Sequence, residues 1–198
     1  AGKILSLPVE KFTLVGATTR SGMLSAPFRS RFGIVENIGF YAPQELERII
    51  RRSAGIIGVG IDDISCGELA RRCRGTPRVA NRLLCRARDF AVVEGDGTVT
   101  AEVVRRTMDA LGVDDQGLDP MDRKVLHTII HKFSGGPVGL DTLAVAVSEE
   151  VDTITDVYEP YLIQSGFLQR TPRGRVATEL AYRHLGVSYV RKDQPRLI

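Results

Sequence analysis

The stretch F-T-L-V-G-A-T-T-R-S-G-M-L-S-A-P-F-R-S-R-F-G-I, residues 12–34, decides how this chain of 198 residues is read. Phe12, Leu14, Val15 and Ala17 make a short apolar run that ends in the hydroxyls of Thr18 and Thr19. That is the pattern of a buried strand, residues 12–17, in a parallel sheet whose C-terminal edge carries polar side chains. Downstream, Pro27 fixes the backbone, and Phe28 and Phe32 can anchor a turn that carries Arg29 and Arg31. A guanidinium held rigidly on such a turn can neutralise charge building on a phosphate in a neighbouring subunit, worth roughly a thousandfold or more in rate. The plainer reading is a pair of surface arginines facing carboxylates, which contributes little. Thr18 and Thr19 could orient a water or touch a phosphate, although two threonines after a strand are more often turn formers.

A second stretch, Gly75-Thr76-Pro77-Arg78, reads as a helix start. Thr76 is a natural cap and Pro77 suits the first helical position, which leaves Arg78 at the positive end of the helix, where an anion is welcome. Arg82 and Arg86 follow Arg78 at i+4 and i+8, and read as a solvated face. Nothing in the chain matches the phosphate loop G-x-x-x-x-G-K-[ST]: Gly2-Lys3 is followed by Ile4 and has no upstream glycine. No apolar strand ends in an Asp-Glu pair that could hold magnesium. Both stretches therefore read as sensors of a nucleotide held by residues outside these, and the absence of an initiating Met points to a fragment or a processed chain.

With 43% apolar residues the chain can bury a real core, enough for one large or two small domains. Its net charge of +3 conceals two opposite regions: residues 71–88 hold seven arginines and no acid, and residues 140–166 hold six acids and no Lys or Arg. Cys66, Cys73 and Cys85 fit neither a metal knuckle nor a disulfide framework, so a reducing cytoplasm is the simplest location and no metal site is expected. No run is long and apolar enough for a secretory signal or a membrane span.

The rest of the chain reads as helices over residues 43–53, 62–73, 76–93 and 100–111, a small helical subdomain without a strand. Residues 112–120 are the best linker candidate. Asp119-Pro120 then opens a helix carrying Val125, Leu126, Ile129, Ile130 and Phe133 at helical spacing, broken by Gly135-Gly136-Pro137. Helices over 140–147 and 150–164 and a hairpin over 167–177 that turns at Thr171-Pro172-Arg173-Gly174 complete a winged-helix layout. Pro160 should kink the last of those helices.

In order along the chain, the blocks L-V-G-A-T-T-R-S-G, S-R-F-G-I, R-G-T-P-R, G-L-D-P-M-D-R-K, G-G-P-V-G-L, V-Y-E-P-Y-L-I-Q-S-G-F-L and R-T-P-R-G-R closely resemble the RuvB family of AAA+ ATPases, bacterial motors for branch migration of Holliday junctions. The resemblance implies an α/β remnant of the AAA+ large subdomain over residues 1–40, an all-α AAA+ lid over 41–115 and an α+β winged-helix domain over 116–198. It assigns Thr19 to sensor 1, Arg31 to an arginine finger acting in trans with Arg29 as its neighbour, and Arg78 to sensor 2, with Pro77 and Thr76 beside the ATP phosphates. It also implies ATP and Mg2+ as cofactors of a full-length parent and none bound by this chain alone. The implied partners are duplex or Holliday-junction DNA, RuvA, RuvC and further copies in a ring, a hexamer in that family, engaged in DNA recombination, repair and the SOS response.

The expected recognition helix is acidic, with Glu150, Asp152, Asp156 and Glu159 and no base, so it would be repelled from a major groove. Arg170, Arg173 and Arg175 concentrate on the wing, where guanidiniums can meet phosphates without reading sequence. A non-catalytic winged-helix regulator is the rival reading, against which that acidic helix counts. A clamp-loader-type switch shares the serine-arginine finger but would not be expected to end in a winged helix. Without a phosphate loop the 198-residue chain should not hydrolyse ATP unaided. Turnover by the purified chain that Arg31→Ala abolishes would overturn that expectation.

Overall fold

A computed structural model describes residues 10–19 and 21–189, so Gly2, Lys3 and Arg20 lie outside the described residues. The chain forms two compact units, Ala1–Gly39 and Phe40–Ile198. In the first, a 3-10 turn at Ser21–Met23 precedes a short helix, α1, at Ala26–Arg29. The strand expected at residues 12–17 is absent: these residues pair with no other strand, and Phe12 and Val15 are 71% and 87% exposed. A parallel strand exists only through its neighbours' hydrogen bonds, and the described residues of this unit supply no such partner. The aromatic anchor does form, with the Phe28 and Phe32 rings edge to face at 5.4 Å.

The second unit begins with α2, Pro43–Ile57, whose first turn is closed by the Ala42 amide donating to the Glu45 carboxylate at 2.8 Å. Leu46, Ile50 and Ala54 recur every fourth residue and form its buried stripe. Gly58, at φ 68°, ends the helix in the left-handed conformation that glycine adopts without cost. Next come β1 at Gly60–Ile61, α3 at Asp63–Arg71, α4 at Pro77–Glu94, β2 at Thr98–Val99 and α5 at Ala101–Leu111. The two-residue strands pair in parallel, a ladder the strand-free reading of this region did not contain. At two residues a strand is too short for its alternation to show in sequence. The helices enclose one core around Leu46, Ile50, Leu69, Leu84, Val99 and Val104. Cys66 and Cys73 lie inside it as free thiols, and burial pushes the Cys73 thiol up to about 12, which leaves it inert.

Residues 112–120 are an ordered turn where the sequence suggested a linker. The Asp114 carboxylate accepts from the amides of Gln116 and Leu118 at 3.0 and 2.9 Å, and Leu118 is fully buried. Arg123 donates to the carbonyls of Leu118 and Gly112 at 2.9 and 2.8 Å. After it, α6 at Pro120–His127 runs into a π turn, Thr128–Lys132. Then follow α7 at Leu140–Val147, α8 at Val151–Thr153, a second π turn at Ile154–Tyr158 and α9 at Glu159–Gln164. That π turn sits directly before Pro160, which has no N–H for the ladder; the expected kink takes this form. Antiparallel β3, Leu168–Thr171, and β4, Gly174–Ala177, make the wing, and α10 at Glu179–His184 closes a second core around Leu126, Ile129, Leu143, Ile154, Leu162 and Phe167.

Asp122 of α6 is fully buried beside the Arg74 guanidinium at 2.6 Å and accepts from the Asp119 amide at 2.9 Å. Burial raises its carboxyl to about 7, with Arg74 pulling it down and Asp119 and Asp114 pushing it up. The folded state therefore keeps a proton that the unfolded chain releases near pH 3.8. Stability from this group is fully present below that value and is lost as pH rises through about 7. Urea denaturation of the parent and of Asp122→Asn should show their stability difference moving in favour of the Asn variant between about pH 4 and pH 8. A difference independent of pH would count against the raised carboxyl.

Candidate functional site

The start of α4 is set by two successive left-handed residues, Arg74 at φ 54° and Gly75 at φ 65°. A side chain at Gly75 would meet the Phe40 Cβ at 2.7 Å, so only glycine fits where the turn passes that ring. The Tyr41 amide donates to the Gly75 carbonyl at 2.8 Å. Pro77 occupies the first helical turn as expected, but Thr76 makes no side-chain cap. Its hydroxyl donates backwards to the Cys73 carbonyl at 3.2 Å. The amides that begin α4 thus have no hydroxyl from Thr76 upon them, and Arg78 projects beside them, exposed and without an ion pair among the described residues. Uncapped amides, the helix dipole and a free guanidinium together suit an anion. Arg86 follows the solvated reading by pairing with Asp89 at 3.5 Å, and Arg82 stays exposed without such a partner among the described residues.

A cavity of about 400 Å³ opens at the foot of this turn, lined by Phe40, Tyr41, Pro43, Arg71, Gly75 and Tyr161. Nothing in the residue order assigned Phe40 and Tyr41 to a site. Two adjacent aromatics before a helix-starting proline were the signal that could have marked it.

In the first unit, α1 ends at Arg29, Ser30 Oγ donates to the Pro27 carbonyl at 3.1 Å, and the Arg31 amide donates to the Phe28 carbonyl at 3.2 Å. Arg29 and Arg31 are thereby placed on one tight turn, both exposed, and Thr19 lies exposed at a bend. Thr19, Arg29 and Arg31 form one set, and Thr76, Pro77 and Arg78 form another in the second unit.

On the wing, Thr171 pairs with Gly174 and Arg170 with Arg175, so Pro172 and Arg173 make a two-residue tip. The Thr171 hydroxyl donates to the Gly174 carbonyl at 2.8 Å and closes that tip. Arg170 and Arg173 are exposed. Arg175 departs from the expectation that all three face DNA: it is only 8% exposed, and its guanidinium forks onto Glu159 with bonds of 2.7 and 3.0 Å. Its backbone also exchanges two hydrogen bonds with Val138, at 2.8 and 3.0 Å. Glu159 is correspondingly withdrawn from the acidic surface of the recognition helix, at 3% exposed.

Among the described residues no group of three or more His, Cys, Asp or Glu could hold a metal ion, and no helix is long and apolar enough to cross a membrane. Three family models match in succession: the Holliday junction DNA helicase RuvB P-loop domain over residues 1–38, the RuvB AAA lid domain over 41–114 and the RuvB C-terminal winged helix domain over 115–186. The chain is 58% identical over 191 residues to the Holliday junction branch migration complex subunit RuvB of Chlorobaculum tepidum, covering 95% of this chain and 56% of that protein. The chain belongs to the RuvB family. It also superposes on the Thermotoga maritima RuvB Holliday junction branch migration motor with a TM-score of 0.84 at 53% identity, over 90% of this chain and 60% of that one. A point variant of the same Thermotoga protein gives 0.85 at 52% identity, with the same coverage. The chain thus spans little more than half the length of the RuvB proteins it matches.

For a RuvB winged helix, the buried Arg175–Glu159 pair separates what the wing presents from what holds it. Breaking a buried pair by removing one partner costs about 3–5 kcal/mol, because the other charge is left in the interior. Arg175→Ala should therefore lower the urea midpoint of the chain markedly, whereas Arg173→Ala at the exposed tip should leave it nearly unchanged. Equal midpoints for the two variants would show that the pair does not hold the wing.

Proposed function

We propose that this chain serves in an ATP-dependent DNA motor that drives branch migration of Holliday junctions during recombination and repair. The observation that carries the reading is the succession of three RuvB modules along one chain, with cations free at the places where such a motor meets anions. Arg31, with Arg29 beside it, acts as the finger that completes a neighbouring subunit's ATP site, and Thr19 acts as sensor 1. Arg78, at the uncapped start of α4, acts as sensor 2 on the phosphates of nucleotide bound to its own subunit, with Pro77 and Thr76 shaping that start. ATP with Mg2+ supplies the phosphoryl transfer, and the phosphate loop and magnesium ligands it needs are not among these 198 residues. The sensors' part is to hold charge against the nucleotide, which is where most of the rate in such transfers arises. The subunits form a ring, a hexamer by analogy with the family, that works in the cytoplasm with RuvA and RuvC.

Arg170 and Arg173 contact the duplex through phosphates. Two free guanidiniums at the edge of a two-stranded wing can follow any sequence, as a motor moving along DNA requires. Arg173→Ala should weaken binding to duplexes of unrelated sequence by the same factor and reduce the slope of log affinity against log salt by about 0.9. A loss confined to one sequence, or an unchanged slope, would overturn phosphate contact.

A further inference from the structure

Arg74 lies four residues before Arg78, and its backbone belongs to the lid while its side chain bonds to the 112–120 turn and to the winged helix that follows it. The guanidinium reaches Asp119 Oδ2 at 2.9 Å and Asp122 Oδ2 at 2.6 Å. Its Nε donates to the Gly117 carbonyl at 2.8 Å, and its guanidinium carbon lies over the Tyr161 ring, 5.3 Å from the centroid. Tyr161 in turn donates from its hydroxyl to the Gln116 carbonyl. A residue other than glycine at φ 54° is uncommon, and here it aims the side chain across the junction. Arg72 reinforces it by bridging Glu68 of the lid to Asp115.

Two further observations show how much rests on this node. The hydrophobic cores on either side are separate clusters, so no shared apolar interior fixes the angle between lid and winged helix. On the α4 and α6 flank the junction is open, with a groove of about 530 Å³ lined by residues that include Arg82, Leu83, Met121 and Lys124. The two bodies are joined on the Arg74 side and, through Arg123 and the Gly112 carbonyl, at the end of α5, and are open between α4 and α6.

We infer that Arg74 is a positioning residue that locks the winged helix to the turn carrying Arg78, so that movement of Arg78 with bound nucleotide is delivered to Arg170 and Arg173. The delivery rests on the motor reading above; the lock does not. An arginine suits the task because one guanidinium pairs with two carboxylates while its Nε donates to a carbonyl, a combination that a lysine ammonium, with its single nitrogen, does not offer.

The test places spin labels at the exposed Val93 of α4 and Val145 of α7 in a Cys85→Ala background and measures the distance distribution in the whole chain. With Arg74 the distribution is narrow. Arg74→Met should broaden it with helix content retained, and Arg74→Lys, which keeps the charge and protects folding, should broaden it less. An unchanged narrow distribution in both variants would overturn the lock. Duplex affinity is measured in parallel and should be the same in Arg74→Lys as in the parent. A fall as large as that of Arg173→Ala would overturn the proposal by placing Arg74 at the DNA itself. Failure of the parent chain to bind duplex would remove the motor reading and the delivery, and leave the distance result standing.

Discussion

The turn at Arg74 and Gly75 is the constraint on which the second unit depends. Two left-handed residues in succession reverse the chain so tightly that one neighbour must be glycine, packed on Phe40, while the other throws its side chain the opposite way. Pro77 then starts a helix with its φ already set, and Arg78 emerges at that helix's positive end. Within five residues the chain therefore presents an anion-seeking end, seals the cavity floor beside Tyr41, and reaches into the winged helix. None of these would survive a slip of one residue, because the left-handed positions would then fall on Cys73 or Thr76, where a side chain resists them.

The winged helix solves a related problem with charge. Residues 140–166 are acidic, and a helix of that kind cannot approach a phosphate backbone unaided. Burying Glu159 against Arg175 takes one acid off the surface and ties the hairpin to the helix beneath it, with the Val138 backbone as a further clasp. The fork geometry satisfies both carboxylate oxygens, the condition under which a buried pair fixes a conformation rather than merely costing desolvation. What remains outward on the wing is Arg170 and Arg173. A buried arginine and two exposed ones thus do opposite things, one holding the wing and the others free to meet DNA.

Much of this was legible from residue order. The helical spacing of Leu46, Ile49 and Ile50, the Pro starts at 43, 77 and 120, and the turn at Pro172-Arg173 are local signals, and each gave its element within a few residues. Three things were not legible, each because it depends on residues distant in sequence. The 12–17 run has the composition of a strand, yet a strand is made by its neighbours. Arg175 and Arg173 are alike in sequence, and only the approach of Glu159 from the preceding helix distinguishes them. Thr76 has the side chain of a cap, but the left-handed residues before it turn its hydroxyl back to Cys73. At 112–120 Asp and Gly mark the connection between lid and winged helix, and that it is a bound turn rather than a loose one is decided by Asp114, Arg123 and Arg74.

A junction made of ion pairs, hydrogen bonds and one cation–π contact is a poor way to gain stability and a good way to fix an angle. An apolar junction of the same size would add more binding energy, since burial contributes about 25 cal/mol per Å² whatever the orientation. That indifference to orientation is its weakness for a lever, because several docking angles bury similar area. Arg74 accepts few alternatives: its ion pairs with Asp119 and Asp122, the Gly117 carbonyl and the Tyr161 face must all be satisfied together. Asp122 sharpens this further, for it is buried with one oxygen lacking a hydrogen-bond partner among the described residues, so any angle that withdrew Arg74 would leave a buried carboxyl with still fewer polar partners. The same carboxylate that makes the junction costly to form makes every other arrangement of it costlier.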